Sequence, residues 1–480
     1  MNLITYGGNL DKKEGVFSCK DNERTYAFLK NDKKGGYSFS AWIKLKKEGE
    51  AGICFKTIHK NGIRWFVGYS LVANAKDNTI TLYKVSNGDH ITSVLGKVKC
   101  PFELNTWYEM KVEQEGKNTR LYFNNLKHDD DPYPKFDLEL GHFSKGDVGL
   151  DFGEDVAEFK DLTLKDFAFE KLDKDSMFQN PIVFGADPDI LYHDGTYYLY
   201  FTDTTDMSMF QCYTSKDLVH WTGPHVVFDG KDGWGANEYM SPNLTYKDGW
   251  FYMFYASHTA YDERGKRKVG VTYATSKSPL GPFVSKNKVP LNPEVQEIGG
   301  MPFQDDNGHT YLTVVRFKGG NECWIMEIEL KEGVVSVKKD TQVLMFDATE
   351  DWEKDYANIV EGAVLIKHKG LYYAMYAGSH YKGSYAEGFA TAEHPLGPWK
   401  KYKYNPILRS HYQTRGVANN VWTRSPSGKE LVTFYHQHYS TTEISPRWIR
   451  MERMKFVKVD DGPDILVMNG PTITPQKKIE

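Results

Sequence analysis

Pro188-Asp-Ile-Leu-Tyr-His-Asp-Gly-Thr-Tyr-Tyr-Leu-Tyr-Phe is a short strand, a turn holding Gly195 and a second strand of alternating aromatic and aliphatic residues. The same phrase returns as Ser241-Pro-Asn-Leu-Thr-Tyr-Lys-Asp-Gly-Trp-Phe-Tyr-Met-Phe-Tyr and as Met301-Pro-Phe-Gln-Asp-Asp-Asn-Gly-His-Thr-Tyr-Leu. It recurs in Glu361-Gly-Ala-Val-Leu-Ile-Lys-His-Lys-Gly-Leu-Tyr-Tyr and closes with Asn420-Val-Trp-Thr-Arg-Ser-Pro-Ser-Gly-Lys-Glu-Leu-Val-Thr-Phe-Tyr-His. Each copy reads as a β-hairpin whose turn needs a residue at positive φ, a conformation open to glycine. The turn glycines Gly195, Gly249, Gly308, Gly370 and Gly428 lie 54 to 62 residues apart. That interval has room for a four-stranded blade, and strand alternation excludes a helical solenoid, so residues 178–480 are expected to form a five-bladed β-propeller.

The 170 residues before it carry short alternating runs, among them Tyr37-Ser-Phe-Ser-Ala-Trp-Ile-Lys-Leu, Thr79-Ile-Thr-Leu-Tyr-Lys-Val and Trp107-Tyr-Glu-Met-Lys-Val. Polar turns between them and the lack of a helical period predict a two-sheet sandwich over residues 1–170, joined to the propeller by a charged connector around Glu170-Lys-Leu-Asp-Lys-Asp-Ser. The fold class is therefore all-β, a jelly-roll-type sandwich followed by a propeller.

At 480 residues the chain exceeds what one hydrophobic core usually serves, in keeping with two domains. A net charge of −4 gives no basis for binding nucleic acid or an anionic membrane, and no run approaches the roughly 20 apolar residues of a membrane span. The five cysteines are odd in number and contain no C-x-x-C pair, which argues against a disulfide framework or a zinc site. The first residues show neither a basic segment nor an apolar run, so the expected location is the cytoplasm, or outside the cell if a leader has been removed. Aromatic residues make up 14% of the chain, a content that suits strand propensity and core packing, and some of the rings, Trp234 among them, are candidates to stack on a sugar face.

Asp187 in Gly185-Ala-Asp-Pro-Asp opens the first repeat and Glu361 opens the fourth. Acids at the inner ends of two blades can face one ligand, and paired carboxylates across a cleft are the minimal apparatus for glycoside hydrolysis. Asp189 reads as a turn or surface residue, and Asp305 and Asp306 as parts of the tight turn ending at Gly308.

Asp187-Pro, Ser241-Pro, Phe303-Gln-Asp-Asp-Asn-Gly, Glu361-Gly, Ser278-Pro-Leu-Gly-Pro-Phe with its twin His394-Pro-Leu-Gly-Pro-Trp, and Tyr435-His436 resemble glycoside hydrolase family 43 over about 280 residues. The resemblance implies an inverting glycosidase acting on arabinosides, xylosides or related plant-type glycosides, as oligosaccharide or polysaccharide. It implies Asp187 as general base, Glu361 as general acid, and Arg447 and His436 as substrate-binding residues. The sandwich is similar to the concanavalin-like modules that accompany carbohydrate-active enzymes, with a role in binding carbohydrate or in buttressing the propeller.

Two positions depart from the family pattern. A third carboxylate that tunes the acid is expected at the head of the third blade, where this chain has Gly299. Ala418 stands where the family often has a histidine supporting an axial calcium, so a structural calcium is in doubt and no cofactor is required. Two other readings stay open. Glu322-Cys323 echoes a motif of the retaining family 32 fructosidases, and the missing carboxylate at Gly299 fits a catalytically degenerate sugar-binding protein.

Overall fold

The computed structural model describes residues 3–480 apart from 22, 60–65, 87–91, 125–130, 172, 173 and 232. Leu172 and Asp173 of the expected connector lie outside the described residues. Among the described residues no helix is long and apolar enough to cross a membrane.

The chain divides into two compact units, residues 1–179 with 456–476, and residues 180–455 with 477–480. Among the described residues, the first unit holds two seven-stranded antiparallel sheets. Alternate residues of both sheets point into one core, with Phe39, Ile43 and Met110 from one sheet meeting Ile53, Leu71 and Leu150 from the other. The units part between Gln179 and Asn180, and the expected assignment of residues 178–480 to the propeller needs one correction, because residues 456–476 belong to the first unit. Ile473 packs against the first unit's core, Arg120 Nη2 donates to Thr474 Oγ1 and the Pro475 carbonyl, and the buried carboxylate of Asp137 adds the densest set of contacts. It accepts the Ile473 N–H at 3.2 Å and the Thr474 N–H at 2.8 Å through Oδ1, and Gln476 Nε2 at 3.0 Å and Arg120 Nε at 2.8 Å through Oδ2. A buried carboxylate is stable only when its oxygens are filled, and this segment fills them.

The second unit contains five antiparallel sheets, one for each copy of the sequence phrase. Their first strands are Ala186–His193, Asn237–Lys247, Glu297–Gln304, Val360–His368 and Ala418–Arg424. Among the described residues the second sheet has three strands where four were expected. The strand Val183–Phe184 pairs with the last long strand of the fifth sheet, Val183 facing Ile449 and Phe184 facing Trp448, so the start of the unit closes against its end. All five hairpin glycines have positive φ, from 71° at Gly195 to 87° at Gly308. A Cβ at Gly195, Gly308, Gly370 or Gly428 would meet nothing within 4 Å, so backbone conformation and not crowding requires glycine there.

Each first strand carries a β-bulge near its start. The register shifts between Ala186 and Asp189, Met240 and Asn243, Ile298 and Met301, Glu361 and Val364, and Ala418 and Val421. The residue inside each bulge has positive φ: Asp187 at 46°, Ser241 at 52°, Gly299 at 62°, Gly362 at 65° and Asn419 at 55°. Asp, Asn and Gly tolerate this left-handed conformation best, and a bulge re-aims the side chain it carries. The same local geometry is thus built five times and furnished with different side chains.

Candidate active site

Two carboxyls reach the site from non-equivalent places in the repeat. Asp187 is the bulge residue of its strand, whereas Glu361 precedes its bulge and pairs with Ala377 on the next strand. Asn419, the bulge residue of the fifth blade, ties these two blades together. Its Nδ2 donates to Asp187 Oδ1 at 2.8 Å, while its amide oxygen passes so close to Gly362 that a Cβ there would lie 2.6 Å from it. Gly362 is glycine for space as well as for φ.

Oδ1 of Asp187 also lies 3.3 Å from His436 Nδ1 and 3.6 Å from Arg447 Nη1. The Asp187 backbone N–H donates to His436 Nδ1 at 3.1 Å, and Arg447 Nη1 stands 3.3 Å from His436 Nε2. His436 is fully buried, and burial together with the Arg447 charge pushes it down to about 4, so it is a neutral imidazole at neutral pH. Burial by itself would raise the Asp187 carboxyl. His436, Arg447 and Asn419 outweigh it and hold the group well below the usual carboxylate range.

Glu361 lies on the other side of the balance. Burial raises it to about 7, with the Asp187 charge acting in the same direction and the Asn321 hydrogen bond and Arg447 opposing. Asn321 Nδ2 donates to Glu361 Oε2 at 3.0 Å. One carboxyl is therefore ionised and the other holds a proton near neutrality, the division of labour that acid–base catalysis requires.

Asp187, Glu361, Arg447 and His436, all named from the sequence, come together. Trp234 does not join them among the described contacts. Its backbone N–H donates to Tyr255 Oη at 2.9 Å, and its ring lies against Gly270 in the second blade. Gly299 occupies the third bulge, and a Cβ there would meet only Val315 Cγ2, at 3.8 Å. Glu297 is buried and faces elsewhere, held by Arg316 Nε at 2.8 Å and Asn292 Nδ2 at 2.9 Å. Asp305 accepts from Tyr372 Oη at 2.7 Å and Lys367 Nζ at 3.0 Å, a brace between the third and fourth blades.

Asp189 corrects its reading as a turn or surface residue. Its Oδ2 accepts the Leu244 N–H at 2.7 Å, and burial raises its carboxyl to about 7. With Asn243, Met301, Val364 and Val421, the matching residues of the other four strands, it lines a cavity of about 750 Å³. Asp305, Lys369 and Gly370 also line that cavity, which places its mouth at the hairpin-turn ends of the strands, away from the bulges.

Sequence reading missed Asn321, Asn419 and Glu387. Asn321 is next to the Glu322-Cys323 pair that drew attention, yet Cys323 is buried in the core and Glu322 accepts from Trp324 Nε1 at 2.9 Å. Asn419 had a signal in hindsight, since aligning the five bulges sets it beside Asp187. The residues also bear on a metal. Ala418 offers no ligand, and among the described residues no group of three or more His, Cys, Asp or Glu side chains converges on one point. No step of the mechanism passes through a metal.

Comparison with known proteins agrees with the geometry. The model of glycosyl hydrolases family 43 matches residues 178–462. The beta-D-galactofuranosidase xynD of Aspergillus niger is 27% identical over 313 residues, covering 60% of this chain and 84% of that protein. The non-reducing end alpha-L-arabinofuranosidase BoGH43B of Bacteroides ovatus is 26% identical over 249 residues, 48% of this chain and 41% of that protein. A solved structure of a thermostable family-43 glycoside hydrolase is 32% identical with a TM-score of 0.54, covering 63% of this chain and 99% of its own.

Proposed function

The chain belongs to family 43 of the glycosyl hydrolases, enzymes that cleave O-glycosidic bonds with inversion, and from that premise we propose that Asp187 is its general base, Glu361 its general acid and a terminal furanoside its substrate. The observation that carries the assignment is the opposite displacement of the two carboxyls, one held ionised by Arg447, His436 and Asn419, the other lifted by burial. In a single displacement Asp187 takes a proton from water as the water oxygen bonds to the anomeric carbon. The bond to the leaving oxygen breaks on the opposite side, and Glu361 passes its proton to that oxygen. The products are a sugar with an inverted anomeric hydroxyl and the freed alcohol, and proton exchange with solvent restores both carboxyls. Arg447 is assigned to the sugar; its guanidinium is close to Asp187 and over the Tyr381 ring, and its Nε has no protein partner.

The furanoside class is supported by the two named relatives, which act on β-D-galactofuranosides and α-L-arabinofuranosides. These five-membered rings share their ring configuration and differ in the exocyclic carbon chain, so one pocket can admit both. The deciding experiment is turnover of aryl α-L-arabinofuranoside, β-D-galactofuranoside and β-D-xyloside, with proton NMR of the nascent anomer. Release from a furanoside with inversion is expected. Preference for the xyloside would overturn the sugar assignment, and retention would favour the fructosidase-type reading. Gly299 keeps one alternative in view: binding of sugar without release from any of the three would identify a lectin-like protein.

A further inference from the structure

Glu387 is a fully buried carboxyl that the mechanism above does not use. It lies on the third strand of the fourth blade, Ala386–Ala392, in register with Ala377, which in turn pairs with Glu361. Paired residues of adjacent strands share a face, so Glu361, Ala377 and Glu387 form one row, with only a methyl group between the two acids. Oε1 of Glu387 accepts the backbone N–H of Asn420 at 3.2 Å, and its Oε2 has no hydrogen-bond partner. Asn420 immediately follows Asn419 in the fifth bulge, and Asn419 Nδ2 is the donor to Asp187 Oδ1 at 2.8 Å.

We propose that Glu387 is a positioning residue for the base: it holds the Asn419-Asn420 bulge by its backbone, and the bulge in turn orients the Asp187 carboxylate through the Asn419 side chain. This inference rests on the reading of Asp187 as base. The bulge needs such a support. Asn419 sits at a φ of 55°, and its amide oxygen is without a hydrogen-bond partner, so its side chain is located by Asp187, by the floor at Gly362 and by the backbone it hangs from. Glu387 is the side chain that fixes that backbone from behind. Burial, reinforced by the Glu361 charge, lifts its carboxyl well above the ordinary range, so it acts as a neutral acceptor and not as a counter-charge. A glutamine has the same acceptor in the same place.

The tests are the variants Glu387→Gln and Glu387→Leu, with Asn419→Ala for comparison. Glu387→Gln should retain the parent kcat. Glu387→Leu should lower kcat on the order of 10²-fold, the cost of a reacting group misplaced by about 1 Å, with KM nearly unchanged. Because the base is the group disturbed, the loss should be the same for aryl glycosides of low and high leaving-group pKa. A loss that vanishes with a low-pKa leaving group would mean that Glu387 acts through Glu361, and would overturn the proposal. Equal impairment of the Gln and Leu variants would do so too. The double variant Glu387→Leu/Asn419→Ala should be no slower than Asn419→Ala alone, since both act on one link; multiplied losses would refute that link. A crystal structure of Glu387→Leu gives a readout independent of turnover, in which the Asn419 Nδ2 to Asp187 Oδ1 distance should lengthen past hydrogen-bonding range. An unchanged 2.8 Å there would refute the proposal even if the parent hydrolysed none of the glycosides offered. Failure of the parent to turn over tests the functional reading separately. If Glu387→Leu does not fold, the Gln variant and Asn419→Ala still decide the case: a crippled Glu387→Gln, or an Asn419→Ala variant with parental kcat, overturns it.

Discussion

Replacing Glu361 with glutamine should stabilise the protein in a way that depends on pH. The ordinary glutamic acid value of 4.5 is raised to about 7 in the folded protein, first by burial and then by the Asp187 charge. At 1.36 kcal/mol per pH unit the change amounts to about 3 kcal/mol. The sign follows from the two states. Below 4.5 the side chain is protonated both folded and unfolded, and it costs nothing. Between 4.5 and about 7 the unfolded chain ionises while the folded one keeps its proton, so the parent loses about 1.4 kcal/mol of stability per pH unit. Above about 7 the folded group ionises too, and the penalty stays constant. Glutamine never ionises, and its Oε1 can take the Asn321 Nδ2 hydrogen bond that Glu361 Oε2 accepts at 3.0 Å. Glu361→Gln should therefore match the parent near pH 4 and exceed it by about 3 kcal/mol near pH 8. Urea unfolding of both proteins across that range, followed by tryptophan fluorescence, measures the difference. Asp189, Glu297 and Glu387, the other carboxyls that burial raises, are present in both proteins and largely cancel. A stability difference that does not vary with pH would refute the claim that Glu361 holds its proton to neutrality, and the general-acid assignment would lose its physical support. The same displacement predicts that kcat/KM of the parent falls above about pH 7.

The two carboxyls should also separate by leaving group. Glu361→Gln should recover much of its rate on aryl glycosides whose phenol needs no proton, whereas Asp187→Asn should stay inactive on all of them; steady-state rates across a leaving-group series check this, and equal recovery would refute the roles. Gly299→Asp should be accommodated, because Asp187 occupies the equivalent bulge at a φ of 46° and a Cβ at Gly299 meets only Val315 Cγ2 at 3.8 Å. The added carboxylate should move the alkaline limb of kcat/KM to higher pH, and an unmoved limb would show that the third bulge is electrostatically remote from Glu361. Asp305→Ala should leave kcat/KM close to the parent value but cost about 1–3 kcal/mol in urea unfolding, because it strips the buried Tyr372 hydroxyl of its acceptor, while Lys367 keeps Asp306.

The propeller was legible in the sequence because hairpins are local. Alternation and a turn glycine act within about a dozen residues, and five copies at near-constant spacing define both the blade and the count. Asp187 and Glu361 were legible for the same reason, since each opens a repeat. What they meet was not. Asp187 and its nearest side-chain donor, Asn419, are 232 residues apart and become neighbours only when the ring closes. The alignment of repeat openings set the two acids at equivalent places, although the structure has one inside its bulge and the other before it. Glu387 left no mark because nothing in Ala386-Glu-Gly-Phe distinguishes an acid turned to the next blade from one turned to water. The return of residues 456–476 to the first unit was hidden likewise, since the contacts that hold that segment, among them the Asp137 carboxylate on the Thr474 N–H, reach across more than 300 residues. Local periodicity thus determined the fold and the two acids, while their charge states and supports depended on burial and on contacts between distant blades, which only the folded chain creates.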